Sequence, residues 1–191
     1  MDTQQGHKTA ITQAKGTAME TVGNELPQFL FPELGFWGVV KDGDPQAFAQ
    51  AFALFKRHYS YRPCRDGRRE WYGYRNRFQF VGPGEKMVLL SVCGDALFVW
   101  RKFLSDNGQQ GVNCALFRNE GNVLSSRLIR EAEALAWNRW PDQRLYTYVN
   151  PRSIRSTNPG FCFLCAGWQR CGITKWRRLL IFEKFPTGGQ V

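Results

Sequence analysis

The pattern of apolar and polar positions divides the chain into short elements of two periods. Phe48, Ala51, Phe52 and Phe55 recur at helical spacing behind Asp44-Pro45, a cap followed by proline at the first helical position, which predicts an amphipathic helix over about 45–57. Ahead of it, "PELGFWGVV" (32–40) ends in a short strand-like run, and "KDGD" (41–44) is turn chemistry. "MVLLSV" (87–92), "ALFVWRKF" (96–103) and "VNCALFRN" (112–119) are apolar runs bounded by the turns "CGD" and "SDNGQQG", which predicts a meander of three antiparallel strands.

A second helix begins near residue 125. Ser125 can cap it, Leu124 can staple to Ile129, and Leu128, Ala132, Leu135 and Ala136 form its inner stripe. "RLYTYVN" (144–150) alternates as a strand, "PRSIRSTNPG" is a loop, and "FCFLCAGW" is a short apolar helix ending at Gly167. "QRCGIT" and "RRLLIFEKF" (177–185) close the chain as two strands joined by a turn around Lys175 and Trp176. The fold class is therefore α+β. Residues 1–26 keep no apolar period and read as a flexible tail before one domain spanning 27–191.

Composition adds three constraints. At 191 residues, with 43% hydrophobic and 15% aromatic content, the chain has material for one core that needs no staples. It contains no apolar run of about 20 residues and no secretory signal at its start, so a cytoplasmic protein without a membrane span, its six cysteines reduced, is expected. A formal net charge of +10 favours an anionic partner such as nucleic acid.

The charge is concentrated at 57–78, "RHYSYRPCRDGRREWYGYRNRF", where seven arginines interleave with His58 and several Tyr and Trp. Arginine grips phosphate and aromatic faces stack on bases, so Arg62, Arg65, Arg68, Arg69 and Arg75 are candidate nucleic-acid contacts. The alternative is a solvated basic loop whose aromatics fold back onto the core. His58 is either a base near neutral pH or a helix-terminal histidine favoured by the dipole. In "RNEGNV" (118–123) a strand turns through Gly121 into a helix start, which presents main-chain N–H groups to an anion, with Arg118 adding charge. Gly121 is expected to take a conformation other residues avoid. Cys162-x-x-Cys165 lies along an apolar helix rather than on a tight turn, so no metal site is expected.

The order of elements, the turn "RNEGNV" and the stretch "NPGFCFLCAGW" together resemble the GNAT fold of acyl-coenzyme A transferases over residues 35–185. The resemblance implies α/β/α layers around a mixed, mostly antiparallel sheet, with a long helix after the third meander strand. It also implies that the third meander strand and the strand at 144–150 splay apart to make a cofactor slot. Acetyl-coenzyme A or a related acyl donor is the implied cofactor, held by Arg118, Asn119, Gly121, Asn122, Val123, Ser125 and Ser126. Two positions depart from the family pattern: Val123 replaces a small residue, and Phe163 stands where the family often has a catalytic tyrosine. A phenyl ring cannot protonate a leaving group. Candidates for the missing polar role are Tyr148 and Ser156, with Tyr146, Asn158, Cys162 and Cys165 behind them, and His58 and Tyr59 at the end of the first helix.

Within that plan the chain looks like the phage Mom-type DNA-modification proteins, which attach a small amide-bearing group to adenine. The resemblance implies a group-transfer enzyme acting on a nucleobase in DNA, in the cytoplasm of a bacterial host, as a monomer or homodimer. The alternatives are an acetyl-coenzyme A-dependent N-acetyltransferase for a small amine or protein, and a non-catalytic nucleic-acid-binding protein on a GNAT scaffold.

Overall fold

The computed structural model describes residues 35–62, 81–104 and 108–186. The tail at 1–26 and most of the basic insertion, including Arg65, Arg68, Arg69 and Arg75, lie outside the described residues.

Seven strands form one sheet: β1 (Trp37–Val39), β2 (Glu85–Ser91), β3 (Ala96–Lys102), β4 (Val112–Asn119), β5 (Leu145–Val149), β6 (Gln169–Ile173) and β7 (Leu180–Lys184). Their spatial order is β1-β2-β3-β4-β5-β7-β6. Every neighbouring pair is antiparallel except β4 and β5, which are parallel and joined by the crossover helix α2 (Ser125–Arg139). The other α-helices among the described residues are α1 (Pro45–Lys56) and the single turn α3 (Phe161–Cys165), with a short 3-10 turn at Pro151–Ser153 between β5 and α3. The fold is thus mixed α+β with an open, mostly antiparallel sheet, as the residue pattern predicts. Among the described residues no helix is long and apolar enough to cross a membrane.

The strands alternate, and each face of the sheet is claimed by a different helix. Val88, Leu90, Leu97, Val99 and Leu116 meet the Phe48, Phe52 and Phe55 stripe of α1. Met87, Leu89, Phe98, Trp100, Val112 and Cys114 face the opposite way, onto Leu128, Ile129, Ala132 and Leu135 of α2 and Phe163 of α3. Asp44 caps α1 as expected, its carboxylate accepting the Ala47 N–H at 2.9 Å.

The start of α2 differs from expectation. Ser125 is the first helical residue, not the cap; Leu124 holds the cap position, gives no side-chain hydrogen bond, and is 74% exposed, so it makes no staple. The helix is held from the side instead. Trp37 Nε1 donates to the Leu128 carbonyl at 2.9 Å, and Trp100 Nε1 donates to the Ala132 carbonyl, one turn later, also at 2.9 Å. A third indole, Trp168, donates to the Glu133 carboxylate, whose other oxygen accepts from Lys184 Nζ at 2.5 Å.

Glu133 is 2% exposed, so these partners are what make its burial tolerable. Lys184 also donates to the Ala166 carbonyl at 2.8 Å, so one ammonium joins α2, β7 and the residue after α3. Removing one member of a buried pair leaves the other uncompensated. Glu133→Ala is expected to lower unfolding free energy by about 3 kcal/mol in chemical denaturation, whereas a Lys184→Met, Glu133→Leu double variant recovers part of that loss.

Candidate functional site

Among the described residues the only parallel ladder in the sheet is short. β4 and β5 pair at Val112–Leu145, Asn113–Tyr146 and Cys114–Thr147, and there the pairing stops. At the same point β4 is irregular on its other side: Trp100 is opposite Cys114 while Val99 is opposite Leu116, so Ala115 is an extra residue. A bulge of this kind bends its strand. Here it turns β4 away from β5 just where the last pair ends. Thr147 closes the ladder, its hydroxyl donating to the Cys114 carbonyl at 2.9 Å. Beyond that last pair the two strands are no longer hydrogen-bonded to each other, and a wedge lies between them.

The wedge opens into a cleft of about 110 Å³. Cys114, Leu116 and Phe117 form one wall, Thr147, Tyr148 and Val149 the other, and Cys162 and Phe163 the back. Gly160, just before α3, packs so closely on Phe182 that a Cβ there would lie 2.4 Å from the ring, and its φ of +87° suits glycine. That contact sets α3 against the sheet with Phe163 inward. Phe163 is 5% exposed and packs on Trp168, Phe117 and Phe182, so its ring is a wall of the cleft and part of the core.

The mouth carries the polar groups. His58 and Tyr59, at the end of α1, both line the cleft, and their rings lie 4.2 Å apart between centroids. Ser60 donates its main-chain N–H to His58 Nδ1 at 3.2 Å, and its hydroxyl lies 2.7 Å from the same nitrogen. An N–H can only donate, so Nδ1 supplies a lone pair and the neutral ring carries its proton on Nε2. Burial, and secondarily the positive charge of Arg118, lower the His58 pKa to about 4. At neutral pH the imidazole is thus uncharged and presents an N–H donor rather than a base. Burial also pushes the Tyr59 phenol above the usual tyrosine range, against the opposing effect of the Asn150 N–H beside its oxygen. Tyr59 therefore spans from α1 to the end of β5 and keeps its proton. Tyr148 completes the group, its ring edge-on to buried Tyr146 at 5.7 Å.

The turn at 118–125 sits beside this mouth but is largely self-satisfied. Arg118 Nε donates to Glu120 at 2.5 Å and its Nη1 donates to the Arg57 carbonyl, while Arg57 makes a two-point contact with the same carboxylate at 2.8 and 2.7 Å. Held chiefly by Arg57, and also by Arg118, the Glu120 carboxyl is lowered to about 2. Asn119 donates to the Val123 carbonyl at 2.7 Å and to Ser125 Oγ at 3.0 Å, and accepts the Gly121 N–H at 3.0 Å. Gly121 has no left-handed backbone, contrary to expectation; it is needed because Asp95 abuts it, at 2.0 Å from where a Cβ would stand. Asn122 is exposed, Val123 packs on the core, and Ser126 lies in the first turn of α2.

Other candidates fall elsewhere. Ser156 is exposed, accepts the Asn158 N–H at 3.1 Å, and does not line the cleft. Arg62 turns back to donate to the Tyr59 and Tyr61 carbonyls, both at 3.0 Å. Cys162 is half-buried at the cleft while Cys165 is exposed, so the two thiols do not share an environment. Among the described residues no three His, Cys, Asp or Glu side chains converge to hold a metal ion. Sequence reasoning missed the Ala115 bulge, Thr147, Ser60 and Asp95. Glu120, the carboxylate that holds both Arg57 and Arg118, was missed as well.

These shifts set the pH behaviour. His58 has a lowered folded pKa, so its contribution to stability is complete above about 6.5 and is lost as pH falls through about 4. Glu120 is likewise lowered; its contribution is complete above the ordinary carboxylate range and is lost as pH falls through about 2. The chain has 2 histidines, so proton NMR with a His7→Gln control resolves His58 directly, and a midpoint near 4 is expected. Glu120→Gln is expected to lower stability above the ordinary carboxylate range and to flatten the acid limb between that range and about 2, read by chemical denaturation across pH. No family model, curated protein or solved structure matches the chain.

Proposed function

We propose that the chain is a group-transfer enzyme of GNAT-like plan that modifies a nucleobase in DNA. The observation that carries this reading is the wedge between β4 and β5, with an apolar back wall and with His58, Tyr59 and Tyr148 together at its mouth. An extended donor entering the wedge meets the edge of β4 past the bulge, where the main chain can hydrogen-bond an amide-bearing ligand as an added strand would. The apolar end, lined by Cys162 and Phe163, suits a small reactive group.

The chemistry follows from the protonation states. An exocyclic amine attacks an electrophilic carbon of the donor, the bond to the leaving group breaks with its electron pair, and the amine gives its proton to solvent water. Negative charge develops on the donor at that moment, and protonated groups held in place before reaction stabilise it best. His58 Nε2–H and the Tyr59 hydroxyl fit that role, a neutral imidazole donor being one way enzymes polarise a carbonyl. Tyr148, on the β5 side, positions the incoming base. Because Phe163 has no proton to give, protonation of the leaving group falls to one of these hydroxyls or to solvent.

Coenzyme A fits the 118–121 turn poorly. Its diphosphate would meet the carboxylates of Asp95 and Glu120, and Arg118 is already engaged. The N–H groups at Ser125 and Ser126, on a helix start with no side-chain cap, are the remaining anion-facing groups there.

Expression in a bacterial host followed by mass spectrometry of digested DNA tests the reading. A new nucleoside adduct is expected, reduced about a hundred-fold or more by His58→Ala and strongly by Tyr148→Phe. Unmodified DNA from cells with abundant folded protein would count against it. A large thermal upshift on adding acetyl-coenzyme A would favour the N-acetyltransferase alternative.

A further inference from the structure

We propose that the β6–β7 hairpin is a second DNA contact, in which Trp176 stacks on a base exposed at the cleft rim while Arg170, Lys175, Arg177 and Arg178 meet backbone phosphates. The inference rests on the nucleic-acid reading above, and it names a surface outside the basic insertion.

Four observations converge on this hairpin. Residues 169–182 contain four cations and no Asp or Glu. The arginines elsewhere near acids are engaged, as with Arg57, Arg118, Arg139 and Arg144, each held to a carboxylate. Those of the hairpin form no ion pair among the described residues. An unpaired cluster of this kind is a standing attraction for polyanions.

The second observation is Trp176, which is 89% exposed at the hairpin tip. Lys175 Nζ lies 5.8 Å from its ring centroid. A large aromatic left in water at the end of a cationic turn offers a stacking face with phosphate-binding groups on either side. A membrane anchor would call for a broader apolar face, and the residues flanking Trp176 are charged.

Third, the tip is held in shape rather than trailing in solvent. Thr174 donates its N–H to the Leu179 carbonyl at 2.9 Å and accepts the Leu179 N–H on its hydroxyl at 2.9 Å, and its carbonyl accepts the Arg178 N–H at 3.2 Å. Arg178 has a φ of +55°, in the left-handed region where glycine or asparagine would be the unstrained choice. A charged residue at a strained, exposed position points to a role for its side chain.

Fourth, the topology sets the tip beside the cleft. Val149 pairs with Leu180, and Leu180 with Ile173, so the turn at 174–179 projects from the end of the sheet where β5 opens the mouth. A base drawn toward the cleft leaves its neighbours partly unstacked. Trp176 is placed to cover such a neighbour.

Anisotropy of labelled single-stranded and duplex oligonucleotides, titrated over a range of salt, tests the proposal without requiring catalysis. Trp176→Ala is expected to weaken single-strand binding about ten-fold. Arg177→Ser with Arg178→Ser should reduce the slope of log affinity against log salt by about 1.4 on single strands and about 1.8 on duplex. All three side chains are exposed, and an unchanged melting temperature serves as the folding control. Parental affinity and slope in both variants overturn the proposal, as does a parent chain that binds no DNA at low salt. Loss of binding to phosphatidylserine vesicles with DNA binding unchanged overturns it in favour of a lipid surface. Hairpin-dependent binding with unmodified cellular DNA would retire the group-transfer reading alone; modified DNA with hairpin-independent binding would retire this inference alone.

Discussion

Everything at the cleft depends on where one ladder of hydrogen bonds ends. β4 and β5 are parallel neighbours for three residue pairs, and the extra residue at Ala115 prevents a fourth. Past that point each strand follows a different partner, β4 staying with β3 and β5 with β7. Sheets seldom leave central strands unpaired, because buried N–H and C=O groups need partners. The opening is tolerated because Thr147 satisfies the last carbonyl and because the gap faces solvent at the mouth. A continuous ladder here would be more stable and would leave no site.

The polar groups at the mouth are set by electrostatics that originate one step away. His58 takes its tautomer from Ser60, and part of its neutrality from the nearby Arg118 charge. Arg118 is held by Glu120, which also holds Arg57, the residue immediately before His58. One carboxylate therefore fixes both the position of the α1 terminus and the charge beside its imidazole. The same arrangement accounts for the turn being a poor host for phosphate: the cation expected to meet the ligand has an internal partner.

The elements were legible in the residue pattern because each carries a clean period. The phenylalanines of α1, the runs of β2 to β4 and the stripe of α2 are each long enough to reveal which face is buried. Strand order was not legible, since β7 entering between β5 and β6 leaves no trace in local periodicity. At the site, His58, Tyr59 and Tyr148 could be named from residue type and place in the chain. Their surroundings could not. The Ala115 bulge depends on register with β3, and the reason for Gly121 is the carboxylate of Asp95, far off along the chain. Gly121 illustrates the general case: the residue was conspicuous, but its cause was a neighbour rather than its own backbone.

The position of β7 has a consequence for how the chain is made. Among the described residues it is the last strand in sequence, yet it lies inside the sheet, paired on both sides, and it carries Phe182 beneath Gly160 and Lys184 beneath Glu133. Synthesis runs from the N-terminus, and domains begin to organise as they emerge. The meander and α2 can assemble early, but β6 has no neighbour and α3 no floor until β7 arrives. The half of the molecule that forms the back of the cleft is therefore completed only once β7 has been made, and a nascent chain lacking β7 exposes a sheet edge at β5.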